Sequence, residues 1–332
     1  MPFISVVCGC YNEEDNVEEL YLQVRDAIAT LPGYTYEHIF IDNASTDRTL
    51  ERLRSLAAND RNVKVIVNTR NFGHIRSPYH ALLQARGEAV IGMASDLQDP
   101  PSLIPTLVRK WEEGYKVAMA VKPASDESWV MFRLRRAYYD FLGRIANVNL
   151  VKNFTGFGIY DRQVIEVLRT IEEPYPYFRG LVADMGFQAA TVEFRQPKRQ
   201  HGVTHNNFFT LYDMAMLGMT SYSKVPLRLA TMLGFLMSLL SFLVALGYLI
   251  WKLTVWNKFG FGMAPLLIGI FFLGSVQLMF IGLIGEYVGA IHTQVQRRPL
   301  VIEKERINFD EETPPQSEVA AGNVKAWGSS SS

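Results

Sequence analysis

Residues 89–101 of the chain read AVIGMASDLQDPP, an apolar run that leads into polar residues and a proline pair. The run Ala89–Met93 is short and uncharged, which favours a buried strand. Asp96 follows this strand, and Pro100 and Pro101 suit the opening of a helix. A carboxylate at a strand end can hold Mg²⁺ or Mn²⁺ while the ion grips a diphosphate. An isolated aspartate at a strand end is more often a helix cap. The whole segment from Asp96 to Pro101 is a more specific signal of a metal site than an isolated aspartate.

Strand and helix patterns alternate through the first part of the chain. The other β-rich runs are Phe3–Cys8, His38–Ile41, Val63–Val67 and Lys116–Val121. The helical patterns are Val17–Thr30, Asp47–Ala58, Ser77–Arg86 and Leu103–Glu113. This alternation predicts an α/β fold with parallel βαβ units and a doubly wound sheet. Ligands bind at the carboxyl ends of the strands in such sheets, where polar residues 11–14, 42–47 and 70–73 also lie.

Composition excludes some classes of protein. The 332 residues carry 33 basic and 33 acidic side chains, so nothing indicates a nucleic-acid partner. Cys8 and Cys10 lie two apart in a predicted strand, and we expect them to pack in or near the core rather than to form a disulfide or metal clip. Met1 leads directly into a strand-like run without a signal peptide, so the N-terminal domain is expected in the cytosol.

The second part of the chain, residues 226–292, is strongly apolar. Uncharged stretches of ~20 residues can cross a hydrocarbon core, which predicts two transmembrane helices at about 229–250 and 263–285. A buried helical hairpin of a soluble protein is the alternative. Basic residues flank the outside of the pair, so the positive-inside rule predicts a multi-pass protein of the inner (plasma) membrane with both termini in the cytoplasm.

Four regions follow from these patterns. Residues 1–205 form a cytosolic catalytic domain, and residues 206–225 form a juxtamembrane amphipathic helix along the membrane interface. An ordinary core helix is the alternative for the second region. Residues 226–292 form the membrane hairpin. Residues 293–332 form a cytosolic tail whose acidic and small polar end is expected to be disordered.

The ordered motifs resemble those of a known family. Residues 11–14 (YNEE), 42–47 (DNASTD), 70–73 (RNFG) and 96–101 (DLQDPP) look like family 2 inverting glycosyltransferases with the GT-A, Rossmann-like fold. Residues 199–204 (RQHGVT), the two spans and residues 285–289 (GEYVG) resemble the polyprenyl-phosphate glycosyltransferases, which include bactoprenol glucosyltransferases and dolichol-phosphate mannose synthases. The resemblance covers most of the chain. It implies transfer of a hexose, by default from UDP-glucose, to undecaprenyl or another polyprenyl phosphate, by a homotetramer.

The resemblance also implies roles for individual residues. Contacts with the nucleotide-sugar are implied for Tyr11, Glu13, Asp42 and Arg70. Asp96 and Gln98 would bind the diphosphate of the nucleotide-sugar and Mg²⁺ or Mn²⁺. Contact with the acceptor phosphate is implied for Arg136 and, more weakly, for Arg133 and Lys122. Arg199 would lie in a loop that closes over the site, so that the catalytic set is Asp96, Arg136 and Arg199. For Ser45 and Asp47 helix capping is favoured, and for the arginines a solvated or lipid-facing position is the alternative.

Three residues depart from the family pattern. Ala94 replaces the first carboxylate of an Asp-x-Asp motif, Gly156 replaces a carboxylate considered a base, and His205 replaces a lysine. A phosphate monoester has a second pKa of about 6 and is mostly a dianion at neutral pH, so it needs little help from a base. We therefore expect activity with weaker metal affinity. The alternatives are a catalytically weakened scaffold that binds sugar nucleotides, and a processive polysaccharide synthase, which is disfavoured because residues 196–200 lack its tryptophan.

Overall fold

The computed structural model describes residues 1–122, 151, 154–197, 216–217, 219–220, 223–254, 263–296 and 298–309. The strands are β1 Phe3–Cys10, β2 Thr35–Asp42, β3 Val63–Asn68, β4 Ala89–Ala94, β5 Val117–Val121, β6 Phe154–Asp161, β7 Ala189–Glu193 and β8 Glu303–Ile307. The helices are α1 Val17–Ala29, α2 Thr49–Asn59, α3 Gly73–Gln84, α4 Ile104–Glu112, α5 Arg162–Arg169, α6 Phe178–Asp184, α7 Val225–Thr254 and α8 Met263–Val295. A 3₁₀ turn, Pro101–Leu103, leads into α4 at the proline pair.

One mixed sheet forms the centre of the α/β part of the molecule. Its strand order is β7-β5-β6-β4-β1-β2-β3-β8. The four strands β4, β1, β2 and β3 are mutually parallel, as the βαβ pattern predicts. Strand β6 runs antiparallel to both β4 and β5, whereas β7 runs parallel to β5. The carboxyl ends of β1 to β5 and of β7 therefore lie at the same edge of the sheet.

Apolar side chains fill both faces of this sheet. On one face Leu20 and Leu53 from α1 and α2 join a core with the β1 side chains of Ile4 and Cys8. On the other face Leu82 and Leu168 from α3 and α5 pack with a second set of strand residues. Alternate strand residues point to opposite faces, so a sheet covered by helices on both sides needs apolar residues at nearly every strand position. The result is a three-layer α/β/α arrangement.

Helix α3 begins at Gly73, four residues before the start predicted from the apolar pattern. Gly73 has a φ of +87°, and the Asn71 side chain accepts a hydrogen bond from its backbone N–H at 2.7 Å. This side-chain contact helps to fix the first turn, even though Pro78 lies inside the helix. The early start places the loop after β3 directly against the helix.

Helices α7 and α8 contain two stretches long and apolar enough to cross a membrane, Val225–Val244 and Phe272–Val295. Their large apolar side chains point outward, and Phe235 and Leu278 are 73% and 70% exposed. Helix α8 extends ten residues beyond the predicted end of the second span near residue 285. The Tyr287 hydroxyl donates to the Ser223 carbonyl at 2.8 Å, which ties α8 to the start of α7.

The chain returns to the sheet after α8. Strand β8, predicted only as part of a tail, pairs antiparallel with β3 at the edge of the sheet. Its sequence EKERI lacks the apolar alternation by which strands are recognised, and charged residues are common on edge strands. The Glu303 carboxylate meets His80 at 2.5 Å, and Glu305 meets Arg54 at 2.5 Å. The segment that leaves the second apolar helix is therefore bound to the sheet.

Candidate active site

Four loops meet at the carboxyl edge of strands β4, β1, β2 and β3. The loops contain all the predicted donor-side residues, which are Tyr11, Glu13, Asp42, Arg70, Asp96 and Gln98. Three non-glycine residues in these loops have left-handed backbones, namely Asn12, Ala44 and Leu97 with φ values of 55°, 61° and 60°. Such conformations are unfavourable for most residues and often occur at functional sites. The polar segments predicted from sequence thus share one edge.

Hydrogen bonds join the loops after β1 and β2. The Asn12 N–H donates to the Ser45 hydroxyl at 3.0 Å, and the Thr46 N–H donates to the Asn12 side-chain oxygen at 2.8 Å. Asp47 accepts from the N–H groups of Thr49 at 3.0 Å and Glu14 at 3.2 Å. Asp47 therefore accepts the first N–H of α2 although Arg48 is at the N-cap, and it also holds the neighbouring loop, whereas the Ser45 hydroxyl bonds to Asn12.

Asn43 joins the loops after β2 and β3. Its amide nitrogen donates to the Asn71 side-chain oxygen at 2.9 Å, and its oxygen accepts from the Phe72 N–H at 2.9 Å. Asn68 adds a hydrogen bond to the same oxygen at 3.1 Å. Asn43 is buried, so these bonds satisfy its amide at the centre of the site. Asn43 belongs to the motif at residues 42–47, for which no role of its own is predicted, and the available signal is an amide directly after a buried strand.

Asp42 lies deeper than its predicted role requires. The residue is fully buried, and both carboxylate oxygens accept from the Ser45 N–H at 3.3 Å. Burial raises the pKa of this carboxyl, while the hydrogen bonds from Ser45 oppose that effect. Asp42 thus holds the turn in this structure, and its predicted contact with a nucleoside stays a prediction.

The loop after β4 has side chains that alternate in direction. Ser95, Leu97 and Asp99 are buried, whereas Asp96 and Gln98 are half-buried and Ala94 is exposed. The Ser95 hydroxyl donates to the Gly9 carbonyl at 2.8 Å, which fixes the loop to β1. Asp99 accepts from the Ala94 N–H at 2.9 Å, and burial raises its pKa to about 6. Asp99 therefore supports the loop from inside. Asp96 and Gln98 are more exposed, and the Asp96 carboxylate accepts a hydrogen bond from the Gln98 N–H at 3.2 Å.

The acceptor-side residues are only partly described. Lys122 follows β5 at the same edge and donates to the Gln196 side-chain oxygen at 2.6 Å. This bond connects the ends of β5 and β7, from which the chain continues into residues 123–150 and 198–215. Arg133, Arg136, Arg199 and His205 belong to those segments and lie outside the described residues.

Comparison with known proteins assigns the family. The glycosyl transferase family 2 profile matches residues 5–169. The SfII prophage-derived bactoprenol glucosyl transferase of Shigella flexneri is 34% identical over 305 residues, which cover 91% of this chain and 97% of that protein. The chain belongs to glycosyltransferase family 2. An uncharacterized glycosyltransferase of Synechocystis sp. is 36% identical over 90% of this chain and 94% of its own length.

The solved structures include more distant similarities. Glucosyl-3-phosphoglycerate synthase from Mycobacterium tuberculosis, in complex with Mn²⁺, UDP and phosphoglyceric acid, has a TM-score of 0.45 and 20% identity. The match covers 66% of this chain and 76% of that chain. The family membership identifies this glycosyltransferase as an enzyme that uses a nucleotide-sugar donor, and its mixed sheet is of the GT-A type.

The residues of this glycosyltransferase fit a divalent cation that brings its own ligands. No group of three or more His, Cys, Asp or Glu side chains suited to a metal occurs within the described ranges. Asp96 and Gln98 offer two oxygen donors on the outward side of the loop, and Asp99 is turned inward. Mg²⁺ commonly binds one or two carboxylates and completes its shell with water and phosphate oxygens. The donor set therefore fits such an ion only together with a bound diphosphate.

Gly156 has a structural reason to be a glycine. Its φ is +109°, a conformation that L side chains rarely adopt, although a side-chain Cβ would have room, with Phe178 Cδ1 at 3.9 Å. The Gly156 carbonyl also accepts a hydrogen bond from the Tyr160 hydroxyl at 2.6 Å. The carboxylate that relatives were expected to carry at this position is thus disfavoured by the backbone.

Proposed function

We propose that this glycosyltransferase moves a hexose, by default glucose from UDP-glucose, to a polyprenyl phosphate such as undecaprenyl phosphate at the cytoplasmic face of the membrane. The proposal rests on one observation, that a donor-type loop site and two helices of membrane-spanning length occur in the same chain. Interlocked loops present Asp96 and Gln98 at the donor edge, and strand β8 ties that domain to two helices of membrane-spanning length. The bactoprenol substrate named for the Shigella flexneri relative supports the choice of acceptor.

The donor side of the mechanism rests on the loops after β1 to β4. Tyr11 and Glu13 would contact the nucleoside, Asp42 would hold the loop or reach the nucleoside after it opens, and Arg70 would help to hold the phosphates. A divalent cation, Mg²⁺ or Mn²⁺, held by Asp96 and Gln98 would neutralise charge on the departing nucleoside diphosphate. Fixed hydrogen bonds between the loops keep these groups aligned before the donor binds, which lowers the reorganisation needed for reaction.

The acceptor supplies its own nucleophile. An oxygen of the phosphate dianion attacks the anomeric carbon, a new C–O–P linkage forms, and the bond from that carbon to the nucleoside diphosphate breaks with inversion. Lys122, Arg133 and Arg136 would hold the acceptor phosphate, and Arg199 would close the loop over the site. Because the dianion is already a nucleophile, the absence of a carboxylate at Gly156 does not prevent the step.

Sugar transfer by the full-length protein tests this proposal. Purified enzyme is given undecaprenyl phosphate and a panel of radiolabelled nucleotide sugars, with Mg²⁺, Mn²⁺ or a chelator. We expect labelled lipid to form, with UDP-glucose as the best donor, and chelator to abolish its formation. Asp96→Asn should lower kcat/KM at least about 100-fold, whereas the matched change Asp26→Asn, at an exposed position on α1, should have no effect.

The same assay evaluates the alternative of a sugar-nucleotide-binding scaffold. Ala94 and Gly156 are the observations in its favour, because each replaces a carboxylate. Binding of UDP-glucose without transfer to any lipid phosphate in the panel would establish the scaffold. Full activity in the presence of chelator would instead exclude the metal role of Asp96.

A homotetramer remains part of the proposal on the strength of the family resemblance alone. Native mass spectrometry of the detergent-solubilised protein measures it directly. A monomeric mass under conditions that preserve activity would contradict it.

A further inference from the structure

Two arginine side chains stack on one aromatic ring beside the donor loops. The guanidinium carbon of Arg70 lies 4.0 Å from the centre of the Phe72 ring, and that of Arg76 lies 5.4 Å from it. Phe72 is buried, so its ring is a fixed platform for both cations. Guanidinium groups on an aromatic face keep their hydrogen-bond donors available at their edges. Two positive charges are thereby held close together.

A third arginine comes from the segment that follows the second apolar helix. Arg76 donates to the Pro299 carbonyl, and the Thr69 N–H donates to the Ile302 carbonyl at 3.0 Å, so residues 298–302 run beside the loop after β3. Burial and the neighbouring positive charges of Arg70 and Arg298 lower the pKa of Arg76. We call Arg70, Arg76 and Arg298 the arginine cluster.

The arginine cluster lies near the end of a candidate membrane span. Helix α8 ends at Val295, and Pro299 follows four residues later. Four residues of extended chain reach at most about 14 Å, so Pro299, to which Arg76 donates, lies within that distance of the helix end. If α8 crosses a bilayer, this is the depth at which lipid phosphate groups are found.

The cluster lacks a carboxylate partner in the described part of the chain. None of its three arginines forms an ion pair there, and the Nε of Arg76 is buried without a hydrogen-bond partner. Like charges held together raise the free energy of the protein unless an anion compensates them. An anion with several oxygens, such as a phosphate, matches the fork of donors that each guanidinium presents.

We propose that the arginine cluster binds the phosphate group of a membrane lipid. The site shares Arg70 with the proposed donor pocket, whereas Arg76 and Arg298 have no assigned role in donor binding. Its occupation would hold the catalytic edge against the membrane. Two lipids carry suitable chemistry, an anionic phospholipid of the bilayer and the polyprenyl phosphate acceptor. Only the second source depends on the proposed function.

Thermal unfolding of the full-length protein in neutral detergent tests the site without requiring sugar transfer. The probes are dihexanoyl phosphatidylglycerol and farnesyl phosphate, with dihexanoyl phosphatidylcholine and farnesol as their controls. A ligand that binds the folded protein raises Tm in proportion to its affinity. We expect at least one phosphate-bearing probe to raise the wild-type Tm and to do so more than its control.

Variants assign the effect to the cluster. Arg298→Gln is the main variant, because Arg298 is exposed and makes no hydrogen bond within the described ranges, so folding should survive. Each arginine near a membrane surface contributes about 1 kcal/mol to the free energy of binding anionic lipid. The apparent Kd of the phosphate-bearing probe should therefore rise about fivefold for Arg298→Gln. Arg298→Lys should retain part of the affinity. Arg61→Gln is the matched control, since Arg61 is exposed at the opposite edge of the sheet, before β3.

The outcomes separate the sources. If phosphatidylglycerol raises Tm and Arg298→Gln weakens that rise, the site is assigned to bilayer phospholipid. If only farnesyl phosphate raises Tm and Arg298→Gln weakens that rise, the site is assigned to the acceptor. Equal shifts in wild type and Arg298→Gln, or no shift by either probe, would overturn the proposal. UDP is a further probe. If Arg298→Gln abolishes the Tm shift that UDP produces but leaves the lipid shifts unchanged, the cluster belongs to the donor pocket and the proposal is also overturned. Failure of sugar transfer would leave these measurements unaffected.

Discussion

At the scale of single residues, the direction of each side chain after β4 decides what the loop can bind. Ala94, Asp96 and Gln98 point outward, and Ser95, Leu97 and Asp99 point inward. The position of the missing Asp-x-Asp carboxylate therefore faces the same side as Asp96. Asp99, the other acidic residue of the segment, cannot replace it because its carboxylate is bonded to the Ala94 N–H inside the loop.

Restoring the carboxylate should strengthen metal binding. In Ala94→Asp the new side chain would face the proposed cation, and an added charge about 4 Å away in a wet site contributes on the order of 1–2 kcal/mol for a divalent ion. We expect the Mg²⁺ concentration for half-maximal sugar transfer to fall roughly five- to thirtyfold. Ala94→Asn is the neutral control of similar size. Equal metal dependence of the two variants would show that residue 94 does not face the metal.

Gly156 should resist substitution for reasons of backbone conformation. Gly156→Ala places a Cβ at a φ of +109°, which costs about 1–2 kcal/mol although no close contact forms. Chemical denaturation of the purified protein should show that loss, and Gly156→Asp should show at least as much. Thr155→Ala, on the adjacent exposed residue, should leave the free energy of unfolding nearly unchanged. Unaltered stability of Gly156→Ala would mean that the strand readily adopts another conformation.

At the scale of elements, strand β8 is held to the domain by ionic contacts on its two sides. Glu303 accepts hydrogen bonds from His80 at 2.5 Å and from Arg306 Nη2 at 2.7 Å. Burial alone would raise the pKa of Glu303, but these hydrogen bonds and the charges of His80 and Arg306 lower it from 4.5 to about 2. The ionised form of Glu303 is therefore the one that stabilises the folded state.

This contact predicts a dependence of stability on pH. Because the folded pKa is depressed, the contribution is present above pH 4.5 and is lost as the pH falls from 4.5 towards 2. The contribution of ionised Glu303 to the free energy of unfolding is at most about 3 kcal/mol. Glu303→Gln should be less stable than wild type at pH 7, and the difference should shrink at pH 3 when unfolding is measured in urea.

The matched control lies on the same strand. Glu305 pairs with Arg54, but its side chain is 40% exposed, so Glu305→Gln should change stability little at either pH. A difference between Glu303→Gln and wild type that is constant from pH 7 to pH 3 would show that the charge of Glu303 is not responsible.

At the scale of the whole molecule, the chain leaves the sheet, forms two helices of membrane-spanning length and returns to the sheet. Because β8 pairs with β3, the segment after α8 must lie on the same side of any membrane as the catalytic domain. Two crossings satisfy this requirement. The pairing of β8 with β3 does not say which side of the membrane this is, so the cytoplasmic location of both termini stays a prediction.

Protease accessibility tests this arrangement. Tags at both ends of the full-length protein should be protected in intact spheroplasts and digested in inverted membrane vesicles. If α7 and α8 span the membrane, the protein should also remain with the membranes after an alkaline carbonate wash. Tags with opposite accessibility would exclude a two-span hairpin, and release by carbonate would exclude spanning helices.

The sequence by itself determined the parallel part of the sheet, the positions of the donor loops and the two long apolar helices. These features depend on local periodicity and on polar residues that directly follow apolar strands, and both are visible without long-range contacts. The order of the motifs along the chain is sufficient to predict the family, which the relatives confirm. Helix capping by Asp47 and the packing of Cys8 in the core were likewise predictable from residue type and spacing.

Only the tertiary structure decided the rest. Strand β8 carries charges that conceal its pairing, and Asn43 acquires its role from Asn71 and Phe72 in the loop after β3. The arginine cluster combines residues more than 200 positions apart in the chain. Each of these features is a contact between segments distant in sequence, and local propensity contains no information about which distant segment will supply the partner.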